Sequence, residues 1–183
     1  MKNGAMEPHL SVWQEIMRIQ IGSLSEGTHQ YHFEADAADI NLGEEFRKPV
    51  DVDATLDKTG KQLFLHVRVR TTGAFSCDRC TAPFELTLTP EYRMYFVTDE
   101  TDAESLDPSE VQVVPPGLPI IDLADDVRQT VLLAVPLKLL CRRECRGLCP
   151  RCGKDLNIEP CSCPVEEGDG RWDQLRALRP GEN

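Results

Sequence analysis

Several things are missing from this sequence, and each absence narrows the reading. No run of about 18 apolar residues occurs, so nothing in the chain is expected to span a membrane as a helix. The opening residues, MKNGAMEPHLSVWQEIM, have an early lysine but no continuous apolar stretch, which is not a secretory pattern. A cytoplasmic location is therefore expected. Positive charge is in deficit: 20 Lys and Arg stand against 31 Asp and Glu, for a formal net charge of -11. Bulk attraction to nucleic acid is thereby excluded, and any such contact needs a local basic patch. Histidine is scarce, and His9, His29, His32 and His66 have no ligand spacing. No P-loop, G-x-G-x-x-G, H-E-x-x-H or G-x-S-x-G is present. The many carboxylates form no isolated acid–base pair. No catalytic residue and no small-molecule substrate are expected.

What the chain does have is cysteine. Its eight cysteines fall into four close pairs: Cys77 and Cys80, Cys141 and Cys145, Cys149 and Cys152, Cys161 and Cys163. In a reducing compartment such pairs favour metal or redox chemistry over structural disulfides. Four pairs are the arithmetic of two tetrathiolate sites, the donor set that structural zinc takes at about 2.3 Å. The Pro and Gly of CPRCG (149–153) suit a tight knuckle. Cys149, Cys152, Cys161 and Cys163 are near enough in sequence to close a site alone. Cys141 and Cys145 are then left to meet Cys77 and Cys80, which would pin the C-terminal segment to the rest of the protein. An exchange of partners between the sets satisfies the same count. Zinc is the expected cofactor, as one or two ions. Four thiolates also suit iron, although no ferredoxin-type C-x2-C-x2-C run is present. A thioredoxin-like role for CDRC (77–80) is disfavoured, because TAPFELTL after it reads as strand rather than helix.

The first half of the chain reads as strands. PVDVDATLDK (49–58) alternates Val50, Val52, Ala54 and Leu56 with Asp51, Asp53, Thr55 and Asp57. QLFLHVRVR (62–70) alternates Leu63, Leu65, Val67 and Val69 with Phe64, His66, Arg68 and Arg70, and a turn at Gly60 makes the two a hairpin. IMRIQI and HQYHFEA are weaker strand candidates upstream, and PFELTLTPEYRMYFV (83–97) is a further extended stretch with a bend or edge at Pro90. Residues 98–110 form an acidic loop, six acids and no base within 99–110. DLADDVRQTVLLAV (122–135) reads as a helix capped by Asp122, with Leu123, Val127, Val131 and Ala134 or Val135 on one stripe and Pro136 as its stop. DGRWDQLRALR (169–179) reads as a last short helix. The resulting class is α+β. A mainly antiparallel sheet or barrel-like domain carries one packed helix and a Cys-rich, zinc-ribbon-like C-terminal segment. The expected divisions are an N-terminal extension over 1–15, the β-rich domain over 16–136, and the metal-binding segment with its helix over 137–183.

The cysteine segment is also the basic one. From Lys138 to Lys154 there are six bases (Lys138, Arg142, Arg143, Arg146, Arg151 and Lys154) against one acid, Glu144. Two roles fit: compensation of thiolate charge around an ion, and a phosphate-contacting patch on an otherwise acidic protein.

Taken together, FSCDRCTAPFELTL, IDLADDVRQTVLLAVPLKLLC and CRGLCPRCGKDLN followed by CSC resemble the YceD-type family, the large ribosomal RNA subunit accumulation proteins of bacteria and plastids. The motifs come in the family's order and spread over most of residues 16–179. The resemblance implies a non-enzymatic factor for synthesis, processing or stability of large-subunit (23S) ribosomal RNA in ribosome biogenesis. Its implied partners are that RNA or a pre-ribosomal particle, or a ribosomal protein. Arg142, Arg143, Arg146, Arg151 and Lys154 are then the candidate RNA contacts. Two other classes compete: a thiol-based redox or metal sensor, and a zinc-dependent protein-interaction adaptor.

Overall fold

The structure is a computed structural model and describes residues 17–164 apart from Lys61, Ser105 and Leu118. The N-terminal extension and the short helix expected over 169–179 lie outside the described residues. The elements are β1 (Arg18–Gln20), β2 (Gly27–Ala35), β3 (Val50–Thr59), β4 (Gln62–Ser76), β5 (Pro83–Leu88), β6 (Glu91–Val97), α1 (Glu100–Ala103), β7 (Val111–Val113), β8 (Ile120–Asp122) and α2 (Ala124–Ala134).

Alternating valines make β3 and β4 the centre of the molecule. Their antiparallel register pairs Val52 with Val69, Ala54 with Val67 and Leu56 with Leu65, and all six side chains are buried. On the other face stand the charged and polar partners, Asp53 opposite Arg68 and Thr55 opposite His66. The sheet runs β2-β3-β4-β6-β7, with β5 paired to β4 off that path. Only β6 and β7 pair in parallel. The sheet is open. Among the described residues no pairing joins β2 to β7, so the barrel-like alternative does not hold.

A second layer covers the apolar face. It consists of α2 and a two-stranded ribbon of β1 and β8. Met17, Ile19, Ile121, Leu123, Val127 and Val131 are buried there with the sheet valines. The helix begins one residue later than expected, with its cap at Leu123 in place of Asp122. Asp122 is still extended in β8, where it pairs opposite Arg18 and holds that guanidinium at 3.1 Å. Leu123 takes the cap position without a side-chain bond, while Asp122 Oδ1 accepts from the Ala124 amide at 3.1 Å. The helix stops as expected: Val135 is extended (ψ 121°), the conformation that a following proline imposes. Among the described residues no helix is long and apolar enough to cross a membrane.

Two details sharpen the sequence reading, the first of them the bend expected at Pro90. The stretch 83–97 is two strands, because β4 is 15 residues long and receives them in succession. β6 pairs with Leu63–Arg68 and β5 with Thr71–Ser76. Pro90 sits at the changeover, its carbonyl accepting from Val69 N at 2.9 Å. The acidic loop is exposed for most of its length but contains the single turn α1, whose cap Asp99 accepts from the Thr101 amide.

The overhang of β4 matters most for function. The β4–β5 hairpin reaches past the β3 edge, and Cys77 and Cys80 lie in its turn, between Ser76 and Pro83.

Candidate metal centre

The thiols meet in two quartets. Cys77, Cys80, Cys141 and Cys145 form one, and Cys149, Cys152, Cys161 and Cys163 the other; within each, all four Sγ atoms lie within 4.8 Å of one another. The more direct of the two pairings open to the sequence is thus the one the fold adopts. All eight cysteines are free. Cys77 Sγ lies 3.7 Å from Cys145 Sγ, and Cys80 Sγ lies 3.7 Å from Cys141 Sγ. A disulfide needs about 2.05 Å. Four sulfurs around one zinc at about 2.3 Å stand about 3.8 Å apart, so the donor set and its spacing fit a tetrahedral thiophilic ion.

Both quartets rest on the same turn. In the first knuckle the Cys77 amide donates to Ala82 O (2.9 Å) and Thr81 N donates back to Cys77 O (2.8 Å). In the second the Cys149 amide donates to Lys154 O (2.8 Å) and Gly153 N donates to Cys149 O (2.9 Å). Such a turn aims backbone N–H groups at the first sulfur. The Cys77 thiol is lowered to about 6, chiefly by the N–H of Cys141, which comes from outside the turn, and then, against burial, by the turn's own Cys80 and Arg79 N–H groups. The Cys149 thiol is lowered to about 6, chiefly by the N–H of Cys152. The crowding of thiols acts the other way on their partners. Burial, then the Cys80, Cys77 and Cys145 thiols, push Cys141 up to about 12. The Cys152 thiol is the main cause that pushes Cys163 up to about 12. In each quartet one thiol is thus lowered and another raised by its neighbours, and a bound cation would favour the charged form of both.

The first quartet is clamped to the sheet domain. Asp78 donates its amide to Leu139 O (2.8 Å), and its carboxylate accepts from Leu139 N (2.6 Å). Phe84, Ala82 and Leu140 pack around the buried Cys77, Cys80 and Cys145. Arg79 Nη1 donates to Cys145 O at 2.6 Å, and Arg79 O accepts from Leu148 N at 3.1 Å. Beyond this point the ribbon-like expectation is not carried by strands. The described part of the segment after α2 has turns and a single bridge, Leu148 to Asp155.

Asn157 is a residue the sequence reading missed as a participant. Its Nδ2 lies 3.4 Å from Cys145 Sγ, and its Oδ1 accepts from the Arg146 amide at 2.7 Å. It comes from the segment after the second knuckle and reaches the first quartet. The only sequence signal was its place at the end of GLCPRCGKDLN.

The basic residues divide. Arg142, Arg143 and Arg146 are exposed, and none of them is ion-paired to a described acid. Arg151 borders an open recess of about 660 Å³ beside the second quartet, with Pro150, Leu156 and Pro164. Lys154 is bound to Glu159 Oε1 at 2.9 Å, which makes it less available than Arg142, Arg143 and Arg146. Just before this segment in sequence, Leu133 and Leu137 are 85% and 106% exposed, large apolar side chains off the stripe that α2 buries.

The family profile described as large ribosomal RNA subunit accumulation protein YceD matches residues 65–179. That range runs from β4 through both quartets. The chain is similar to the chloroplastic large ribosomal RNA subunit accumulation protein YCED homolog 1 of Arabidopsis thaliana, 25% identical over 97% of this chain and 64% of the relative. The Zea mays protein of that name is 26% identical over 92% of this chain and 68% of its own length. An uncharacterized protein of Mycobacterium tuberculosis is 28% identical over 69% of this chain and 60% of its own. The chain thus spans less than two thirds of the length of the Arabidopsis relative. No solved structure matches. With a profile match over more than half its length that takes in all eight cysteines, the chain belongs to the YceD family of large ribosomal RNA subunit accumulation proteins.

Proposed function

We propose that the protein is a non-enzymatic factor in the synthesis, processing or stability of large-subunit (23S) ribosomal RNA. In this reading it acts in the cytoplasm and touches the RNA or a pre-ribosomal particle through its cysteine segment. Zinc is the ion we assign to both quartets, held by Cys77, Cys80, Cys141 and Cys145 and by Cys149, Cys152, Cys161 and Cys163. When bound, it supplies folding energy and neutralises thiolate charge; four thiols at each ion leave no open position for water, which argues against hydrolytic chemistry.

The observation that carries the reading is the placing of Arg142, Arg143 and Arg146. They are exposed, within a segment tied down at Cys141, Cys145 and Cys149. In a chain of net charge -11, such a fixed basic edge is where a phosphate backbone would be held. Its test is the triple change to Gln. RNA affinity should fall and the slope of log affinity against log salt should flatten by roughly one unit per lost phosphate contact, with zinc retained. Unchanged RNA affinity with full zinc content rejects the patch.

The exposed Leu133 and Leu137 support a second reading, a zinc-dependent adaptor for a protein partner such as a ribosomal protein. Large apolar side chains at the edge of a basic segment suit a protein interface better than a phosphate backbone. Leu133→Ser with Leu137→Ser that abolishes particle binding, while the arginine variant keeps it, favours this reading.

A further inference from the structure

Between the quartets lie only Arg146, Gly147 and Leu148, and this short stretch is bonded on both sides. On the side of the first knuckle, Leu148 N donates to Arg79 O at 3.1 Å and Cys145 O accepts from Arg79 Nη1 at 2.6 Å. On the side of the second, Leu156 N donates to Gly147 O at 2.9 Å and Asn157 Oδ1 accepts from Arg146 N at 2.7 Å. Gly147 has φ +75°, and a Cβ there would stand 3.0 Å from Arg79 O. Glycine therefore lets the stretch pass close to Arg79, where a side chain would press on its backbone.

Asn157 completes the link. The backbone N–H of Arg146 is a donor only, so it fixes the side-chain oxygen toward itself and turns the amide nitrogen toward Cys145 Sγ at 3.4 Å. That nitrogen also lies 2.7 Å from Asp155 Oδ1. Asp155 in turn accepts from Asn157 N at 2.8 Å and closes the bridge to Leu148. A group from the loop between Cys152 and Cys161 of the second quartet thus donates to a sulfur of the first. Outer bonds of this kind orient ligating groups and stabilise thiolate charge.

We infer that the two quartets load metal as a coupled pair, with Asn157 as the residue that carries the coupling; this rests on the assignment of metal to both quartets. An ion in the Cys149 quartet fixes the turn that presents Asn157 and Leu156. The 145–148 stretch is then already ordered, and Cys145 already has its amide donor, when the Cys77 quartet closes. The second ion meets a smaller ordering cost than the first, and by linkage the effect is the same in either order.

The test is a titration of the reduced, metal-free full chain with cobalt(II) chloride, followed by thiolate–cobalt absorption and native mass spectrometry. At one equivalent, independent equal sites give about half of the protein as the one-ion species, and a tenfold coupling gives about a quarter. Wild type is expected near a quarter. Asn157→Asp keeps the acceptor for Arg146 N but removes the donor to Cys145 and to Asp155 and sets two carboxylates together, and should raise the one-ion species to half or more. As a second measurement, Cys163→Ser breaks only the second quartet and should weaken cobalt binding at the Cys77 quartet roughly tenfold. A wild type at or above half, or unchanged behaviour in either variant, overturns the coupling. Absence of cobalt–thiolate absorption overturns the metal assignment itself, a distinct result.

Discussion

Thr81 and Gly153 hold the same place in two copies of one turn. Each follows the second cysteine of its knuckle, each donates its amide to the carbonyl of the first cysteine, and each is left-handed, with φ 59° and 72°. Glycine takes this conformation freely, whereas a β-branched residue is strained there. Only the second knuckle has the residue its geometry favours. The first depends on its surroundings to hold Thr81, whose hydroxyl donates to Cys80 O at 2.7 Å.

The comparison yields a pair of opposite expectations. Left-handed backbone costs a non-glycine residue roughly 1–2 kcal/mol, and glycine's extra freedom in the unfolded chain offsets roughly 0.5–1 kcal/mol of any gain. Thr81→Gly should therefore stabilise the protein by on the order of 0.5–1 kcal/mol, and Gly153→Thr should destabilise it by a similar amount or more. Urea midpoints of the metal-loaded proteins measure both. A loss of stability in Thr81→Gly would mean that the hydroxyl bond outweighs the backbone strain.

Metal content is the next expectation. The purified protein should hold two zinc ions, and Cys149→Ser should lose the one at its own quartet. The sheet should survive that change. Its buried cluster around Val50, Val52, Leu65 and Val67 is separate from the one around Cys77, Cys80 and Cys145. Elemental analysis and far-ultraviolet circular dichroism are the measurements. Collapse of the strand signal in Cys149→Ser would show that the sheet depends on the second quartet.

How much of this was readable beforehand follows from the range of each interaction. Alternation in 49–70 is a local pattern with a period of two, and it marked β3, β4 and their buried faces. Cysteine spacing is nearly as local, and it paired Cys149 and Cys152 with Cys161 and Cys163. The meeting of Cys77 and Cys80 with Cys141 and Cys145 came only by elimination, because it depends on a 15-residue β4 that overhangs its partner. No residue in 71–76 signals that length. Asp122 does accept from the Ala124 amide at the start of α2, but nothing local reveals its pairing with Arg18, 104 positions away. Asn157 was missed for a related reason: a lone amide takes its meaning from the sulfur it faces, not from its neighbours in sequence.

The exposed leucines make a negative expectation. Leu133 and Leu137 are 85% and 106% exposed, so changing either to Ser should shift folding stability by no more than about 0.5 kcal/mol. Thermal or urea unfolding of the full chain decides it. A loss well above about 1 kcal/mol would show that these side chains are covered in the folded protein.

The last expectation concerns pH and a carboxylate under α2. Asp126 lies in the first turn of that helix, where the helix dipole alone would favour its charge. Yet burial, then the charges of Asp125 and Asp122, raise its carboxyl above the ordinary range. Burial and the Asp126 charge together also push the nearby Tyr92 phenol up, and the Tyr92 hydroxyl is buried with no hydrogen-bond partner among the described residues. A carboxyl whose folded pKa lies above its unfolded value costs nothing while protonated in both states. The cost appears as pH rises above the ordinary carboxylate range, and is complete once pH passes the raised value. Asp126→Asn removes the charge, so it should match wild type at the acid end and exceed it in stability at neutral pH. Unfolding of both proteins from about pH 4 to about pH 8 gives the difference directly, and changes in zinc occupancy common to both cancel in it. A variant less stable than wild type at neutral pH would show that the helix dipole, and not burial, governs this carboxylate.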